Sequence, residues 1–211
     1  MLNVLYKKVN WTKVQYVGFD MDGTLYDEYD FILQVYQEIV KQLMNNSLEI
    51  LTYMCERWLQ KGSSYPYIFA ETYEFAIEKN LHLSVEKSQF IKDALIIYRN
   101  YIPSLTLSSR TQSLLDHFKK NFEIFLITDG NPILQKQKIE ALELNNYFEE
   151  ENIIITGLYS AAYHKPNVDS LNLLEINSKN ALFFGDRDID KIFAQNSSMQ
   201  FQKVVNMIGA E

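Results

Sequence analysis

The chain has 211 residues, 47% of them apolar, and a formal net charge of -7. Such a length and apolar content allow a substantial core and exclude a disordered tail, while the acidic balance argues against a general nucleic-acid-binding surface and gives no reason to expect a membrane partner. Cys55 is the only cysteine, which excludes an intramolecular disulfide and a multi-cysteine metal site and fits a reducing compartment.

Met1 to Lys8 has no sustained apolar region behind a basic segment, so no signal peptide is expected. No apolar run is long enough to span a bilayer, and the expected location is the cytoplasm. Val14 to Phe19 then carries strand-type periodicity with Val, Tyr and Phe, and it ends abruptly in Asp20-Met21-Asp22-Gly23-Thr24-Leu25-Tyr26. A sheet edge reached by such a strand is where open α/β folds bind ligands. Gly23 lets the chain turn sharply and Thr24 can hold the loop, so two acids can be presented to one substrate.

From Asp27 to about Asn100 strands vanish and helical spacing takes over. Phe31, Val35, Ile39 and Leu43 form one stripe; Leu51, Met54, Cys55, Trp58 and Leu59 a second; Ile68, Phe69, Tyr73 and Ile77 a third; Phe90, Ala94, Ile97 and Tyr98 a fourth. Breaks fall at Asn45-Asn46-Ser47, at Lys61 to Ser64 before Pro66, and around Asn80 to Ser84, which predicts roughly a four-helix unit.

After Pro103 helices and strands alternate. A helix is predicted over Ser109 to Lys120, a strand over Phe122 to Ile127 ending in Thr128-Asp129-Gly130, and a helix from Pro132 to about Leu144. A strand over Asn152 to Thr156 precedes the loop with His164-Lys165-Pro166, and Asn167 to Ile176 reads as a helix. Ala181 to Phe184 is a buried strand ending in Gly185-Asp186-Arg187-Asp188-Ile189-Asp190, followed by a helix to about Asn196 and a last strand near Phe201 to Val205. Alternation of this kind implies a parallel sheet with right-handed crossovers, which brings Asp20, Thr128, Lys165 and Asp186 to one edge.

Taken singly, the later signals have ordinary structural explanations: a turn, a solvated lysine, a helix cap. Their order is what carries information. Asp20 with Asp22, then Thr128, then Lys165, then Asp186 with Asp190 match the four motifs of the haloacid-dehalogenase-like (HAD) superfamily, and the chain resembles that superfamily over nearly its whole length. The resemblance implies an α/β, Rossmann-like three-layer core at 1–27 and 105–211, with a helical cap at 28–104 inserted between the first and second motifs. It also implies an Mg2+-dependent phosphatase acting on a small-molecule phosphate ester through an aspartyl-phosphate. Asp20 would be nucleophile and metal ligand, Asp22 acid/base with its main-chain carbonyl on the metal, and Asp186 a further ligand supported by Asp190. Thr128, Lys165 and the backbone around Asp129 would hold the phosphoryl oxygens. A sugar-phosphate mutase of the same superfamily and a catalytically idle scaffold that binds through its aromatic cap are the alternatives. A dehalogenase is disfavoured by Asp22.

Asp129 departs from the asparagine common in the second motif, and substrate preference is affected only if its side chain faces the phosphate. Arg187 is expected to pair with nearby carboxylates, His164 to serve its loop, and His82 and His117 to have no site role. The sequence identifies neither the substrate nor the oligomeric state.

Overall fold

The computed structural model describes residues 2–45, 47–81, 83, 85–205 and 207–210. His82 and parts of two predicted breaks, Asn46 and Ser84, lie outside them. The chain divides into two compact units, Met1–Glu28 with Ser104–Glu211, and Tyr29–Pro103.

The first unit is Rossmann-like. Helix α1 (Leu2–Leu5) and a short 3-10 turn lead into β1 (Tyr16–Phe19); the sheet continues with β2 (Glu123–Thr128), β3 (Ile153–Ile155), β4 (Ala181–Gly185), β5 (Gln200–Val205) and β6 (Ile208–Ala210). The spatial order is β3-β2-β1-β4-β5-β6. The first five strands are mutually parallel and β6 pairs antiparallel with β5. Helices α6 (Ser109–Asn121), α7 (Pro132–Ala141) and α8 (Asp188–Asn196) complete the crossovers. β1 is central, as its apolar run demands: Val17 and Phe19 are fully buried.

Alternation along the strands sorts the aromatic core. Phe19 and Phe184 stack at 5.3 Å on one face, where Phe118 of α6 and Tyr6 meet them. Phe125 and Phe183 occupy the opposite face with Phe193 of α8. Gly18 lies in register between those two rings, and a Cβ there would sit 2.3 Å from Phe125 and 2.7 Å from Phe183. The glycine therefore exists to let two phenylalanines from neighbouring strands close over β1.

Several predicted bounds shift. Val14 closes the Trp11–Lys13 turn, so β1 begins later than its apolar pattern. Asn167 to Ile176 forms only a 3-10 segment over Asp169–Leu173; Asn, Asp and Ser there compete with the helical backbone. β6 was not legible, since three residues cannot display a period.

The second unit contains α3 (Leu48–Lys61), α4 (Ile68–Glu78), α5 (Lys87–Asn100) and most of α2 (Glu28–Leu43). Phe31, Val35 and Ile39 are fully buried, as are Met54, Phe90 and Ala94. Two members of the predicted stripes point outward instead, Leu59 at 65% and Ile77 at 49% exposure. The buried faces of α3 and α4 are narrower and use Met54 with Cys55 and Thr72 with Ala76. Arg57 joins these two helices through paired bonds of 2.6 and 2.9 Å to Glu71. Among the described residues no helix is long and apolar enough to cross a membrane.

Candidate active site

β1 delivers Asp20 to the sheet edge, and its backbone N–H still bonds Phe184 O at 2.9 Å. The side chain is 1% exposed. Lys165, itself fully buried, places Nζ 2.6 Å from Asp20 Oδ1 and 2.6 Å from Asp190 Oδ1. One cation thus bridges acids from the ends of β1 and the start of α8. Burial alone would lower the lysine pKa, but Asp20, Asp190 and Asp129 together raise it, so the ammonium stays charged.

Asp186, one residue past β4, completes an acidic cluster in which one oxygen each from Asp20, Asp186 and Asp190 lie within 4.8 Å of one another. Burial, then the charge of Asp20, pushes Asp186 up to about 7. Burial likewise raises Asp20 to about 6 against the pull of Lys165. Asp190 spends both oxygens on the protein: Oδ1 on Lys165 and Oδ2 on the Arg187 N–H at 3.1 Å, which fixes the first turn of α8. Asp186 does not. Among the described residues no hydrogen bond reaches its buried Oδ1, and Arg187 Nε approaches it only to 3.9 Å. An unsatisfied buried carboxylate oxygen beside two further carboxylates suits a hard cation with oxygen ligands. Asp188 is exposed at the start of α8, as a helix-start acid should be.

Gly23 is held at φ 75°, and a Cβ on it would lie 2.5 Å from Asp186 Oδ2. Gly23→Ala should therefore displace Asp186 and cost about 1–3 kcal/mol of stability, read as a lowered thermal midpoint together with weakened metal binding. An unchanged midpoint and titration would mean the loop does not press on Asp186.

Thr128 ends β2 and is buried. Asp129 resolves the departure noted in the second motif: its Oδ1 accepts the Thr156 hydroxyl at 2.7 Å and the Lys165 N–H at 3.3 Å. Its side chain ties the Lys165 loop to the end of β3.

Three side chains without a role in the sequence reading surround Asp22. Lys138 Nζ lies 2.7 Å from Asp22 Oδ1, Gln135 Nε2 lies 3.0 Å from Oδ2, and the Tyr26 hydroxyl also donates to Oδ1. Burial would raise the Asp22 pKa, but Lys138 with the bonds from Gln135, Lys138 and Tyr26 outweighs it and holds the group below the usual carboxylate range. Gln135 and Lys138 sit three residues apart on α7, which Pro132 and Asn131 start; the Asn131 side chain caps Ile133 and Leu134 N–H groups at 3.1 and 3.2 Å.

A Rossmann-like parallel sheet with acids gathered at its carboxyl edge is the architecture of a superfamily of hydrolases. The model described as "Haloacid dehalogenase-like hydrolase" matches residues 17–204, and the chain belongs to that family. A glyceraldehyde 3-phosphate phosphatase of Pyrococcus furiosus is 24% identical over 201 residues, covering 89% of this chain and 79% of the relative. The N-acylneuraminate-9-phosphatase of Homo sapiens is 22% identical over 189 residues, covering 83% and 75%. Among solved structures, a HAD-superfamily hydrolase of subfamily IA from Geobacter sulfurreducens superposes with a TM-score of 0.65 at 20% identity, over 90% of this chain and 86% of that one.

Proposed function

We propose that the protein is an Mg2+-dependent phosphatase that hydrolyses a small phosphorylated metabolite through an aspartyl-phosphate on Asp20. The observation that carries this reading is the buried Asp20–Lys165–Asp190 bridge set against the unsatisfied Asp186 Oδ1. The phosphatase relatives support the same class of reaction. Residues Tyr29–Pro103 would act as the helical cap.

Asp20, Asp186 and the main-chain carbonyl of Asp22 would hold Mg2+, with Asp190 supporting them. When bound, the metal offsets the charge repulsion between an anionic ester and an attacking carboxylate. An Asp20 oxygen then bonds phosphorus as the ester oxygen leaves, and Asp22, carrying the proton that the hydrolytic water of the preceding cycle left on it, gives that oxygen a proton. In the second step Asp22, now a carboxylate, takes a proton from the water that attacks the aspartyl-phosphate and restores Asp20. Two of the three Lys165 ammonium protons serve Asp20 and Asp190, which leaves the third for a phosphoryl oxygen. The Thr128 oxygen accepts from Gln135 at 2.7 Å, so its own proton is available to the same group.

Phosphate release from a panel of phosphomonoesters, with and without Mg2+, tests the function. Metal-dependent release from at least one ester is expected; none from any would overturn it.

The pKa directions give a further check. Asp20 and Asp186 are raised to about 6 and about 7. In the metal-free protein the folded state therefore holds extra protons between their unfolded and folded values, and these groups' contribution to stability falls as pH rises through that window. Cation binding must displace those protons. Saturating Mg2+ should add about 5–10 °C to the thermal midpoint above pH ~7, and progressively less as pH falls below ~6. A gain independent of pH would contradict the carboxylate ligand set.

A further inference from the structure

We propose that Gln135 and Lys138 are positioning residues that hold Asp22 in a latch on α7 and release it for proton transfer to and from the substrate. The inference rests on the phosphatase reading above and assigns the resting place of its acid/base group.

The geometry is specific. Both residues are 2% exposed, an unusual state for a lysine and a glutamine on one helix face. Lys138 closes a 2.7 Å ion pair to Asp22 Oδ1, and the Tyr26 hydroxyl donates to the same oxygen. Gln135 reaches three acceptors with one nitrogen: the Thr128 hydroxyl at 2.7 Å, the Asp129 carbonyl at 2.7 Å and Asp22 Oδ2 at 3.0 Å. Its Oε1 is buried without a hydrogen-bond partner among the described residues. Reversing the amide would put that oxygen against a carboxylate and a carbonyl, so the amide is committed as a donor.

Two consequences follow from counting protons. The nitrogen has two protons for three acceptors, and Asp22 is the most distant of the three. Letting go of Asp22 therefore leaves Gln135 satisfied by Thr128 and Asp129, which makes this arm of the latch inexpensive to open. The same amide bonds the hydroxyl that offers its proton to the phosphoryl group. Gln135 thus links phosphate holding and acid/base orientation through one side chain, while Lys138 sets the direction from which Asp22 starts.

The test compares an aryl monoester, whose leaving group departs without a proton, with an alkyl monoester, whose leaving group needs one. With Mg2+ present, Lys138→Met should lower kcat for the alkyl ester by about tenfold or more and change the aryl ester by less than about threefold, with KM nearly constant. Gln135→Leu should show the same bias and also raise KM for both esters, because Thr128 loses its partner. Equal losses on the two esters, or no loss on the alkyl ester, would overturn the latch. Lys138→Arg, which keeps the charge, serves if the methionine variant does not fold and should show a smaller loss with the same bias. The side-chain carboxyl 13C resonance of Asp22, assigned with Asp22→Asn, reads the orientation without turnover: it should move in Lys138→Met and in Gln135→Leu, and an unmoved resonance would overturn the proposal. Failure of wild-type protein to hydrolyse either ester would count against the phosphatase reading, while the resonance still decides the latch.

Discussion

Asp20→Asn should abolish phosphomonoester hydrolysis, lowering turnover by at least about 10^3-fold, while the protein stays folded. The amide is nearly the same size as the carboxylate, so the β1 end keeps its shape. It cannot form an acyl-phosphate, and that loss sets the magnitude. Stability should change little: Asp20 is 1% exposed and its pKa is raised by burial to about 6, so its charge is costly to bury, and Lys165 retains Asp190 at 2.6 Å. Phosphate release and a thermal melt on the same sample check both halves. Turnover near the wild-type rate would remove Asp20 as nucleophile, and a collapsed melt would show the loss to be one of folding.

Lys165→Met should have the largest effect on stability. Lys165 is the only cation bonded to both Asp20 and Asp190 among the described residues, and all three side chains are 0–1% exposed. Removing the ammonium leaves two buried carboxylates facing each other with nothing between them. Breaking a buried pair in this way costs about 3–5 kcal/mol, or about 6–20 °C in the thermal midpoint of a chain this size. The sign with pH follows from Asp20, whose pKa burial raises to about 6: the deficit should be greatest where Asp20 is ionised and should shrink as pH falls and it protonates. Turnover should fall as well, by about 10^2-fold or more, because in the proposed mechanism the same ammonium holds a phosphoryl oxygen. A midpoint equal to wild type at neutral pH would mean that the bridge does not form.

The strand ends were legible because their chemistry is written in consecutive residues. Asp20 to Tyr26 announces itself locally, Gly185 to Asp190 gains its meaning from following the other motifs in order, and parallel alternation brings the two to one edge. Lys165 needed context, since a lysine before a proline is ordinarily solvated; only the topology delivers it to Asp20. Gln135 and Lys138 were not legible. Polar residues three apart on a helix read as its wet face, and α7 buries both because their partner is another charged side chain, Asp22. Tyr26 was visible as part of the first motif, but its bond to Asp22 depends on the turn at Gly23. Asp129 shows the reverse case: the substitution was visible, and its meaning came only from Thr156 and the Lys165 backbone. In the helical unit the stripes located the core but overstated its width, since Leu59 and Ile77 are apolar and exposed.

The most direct test of the central claim is covalent. Protein turning over a radiolabelled phosphomonoester with Mg2+ should be acid-quenched at successive times and the label mapped by peptide. Phosphoryl label is expected on the peptide carrying Asp20, on that residue alone, and absent from Asp20→Asn. Label on a different residue, or label that persists in the Asp20→Asn protein, would contradict the assignment of Asp20 as the group that receives the phosphate.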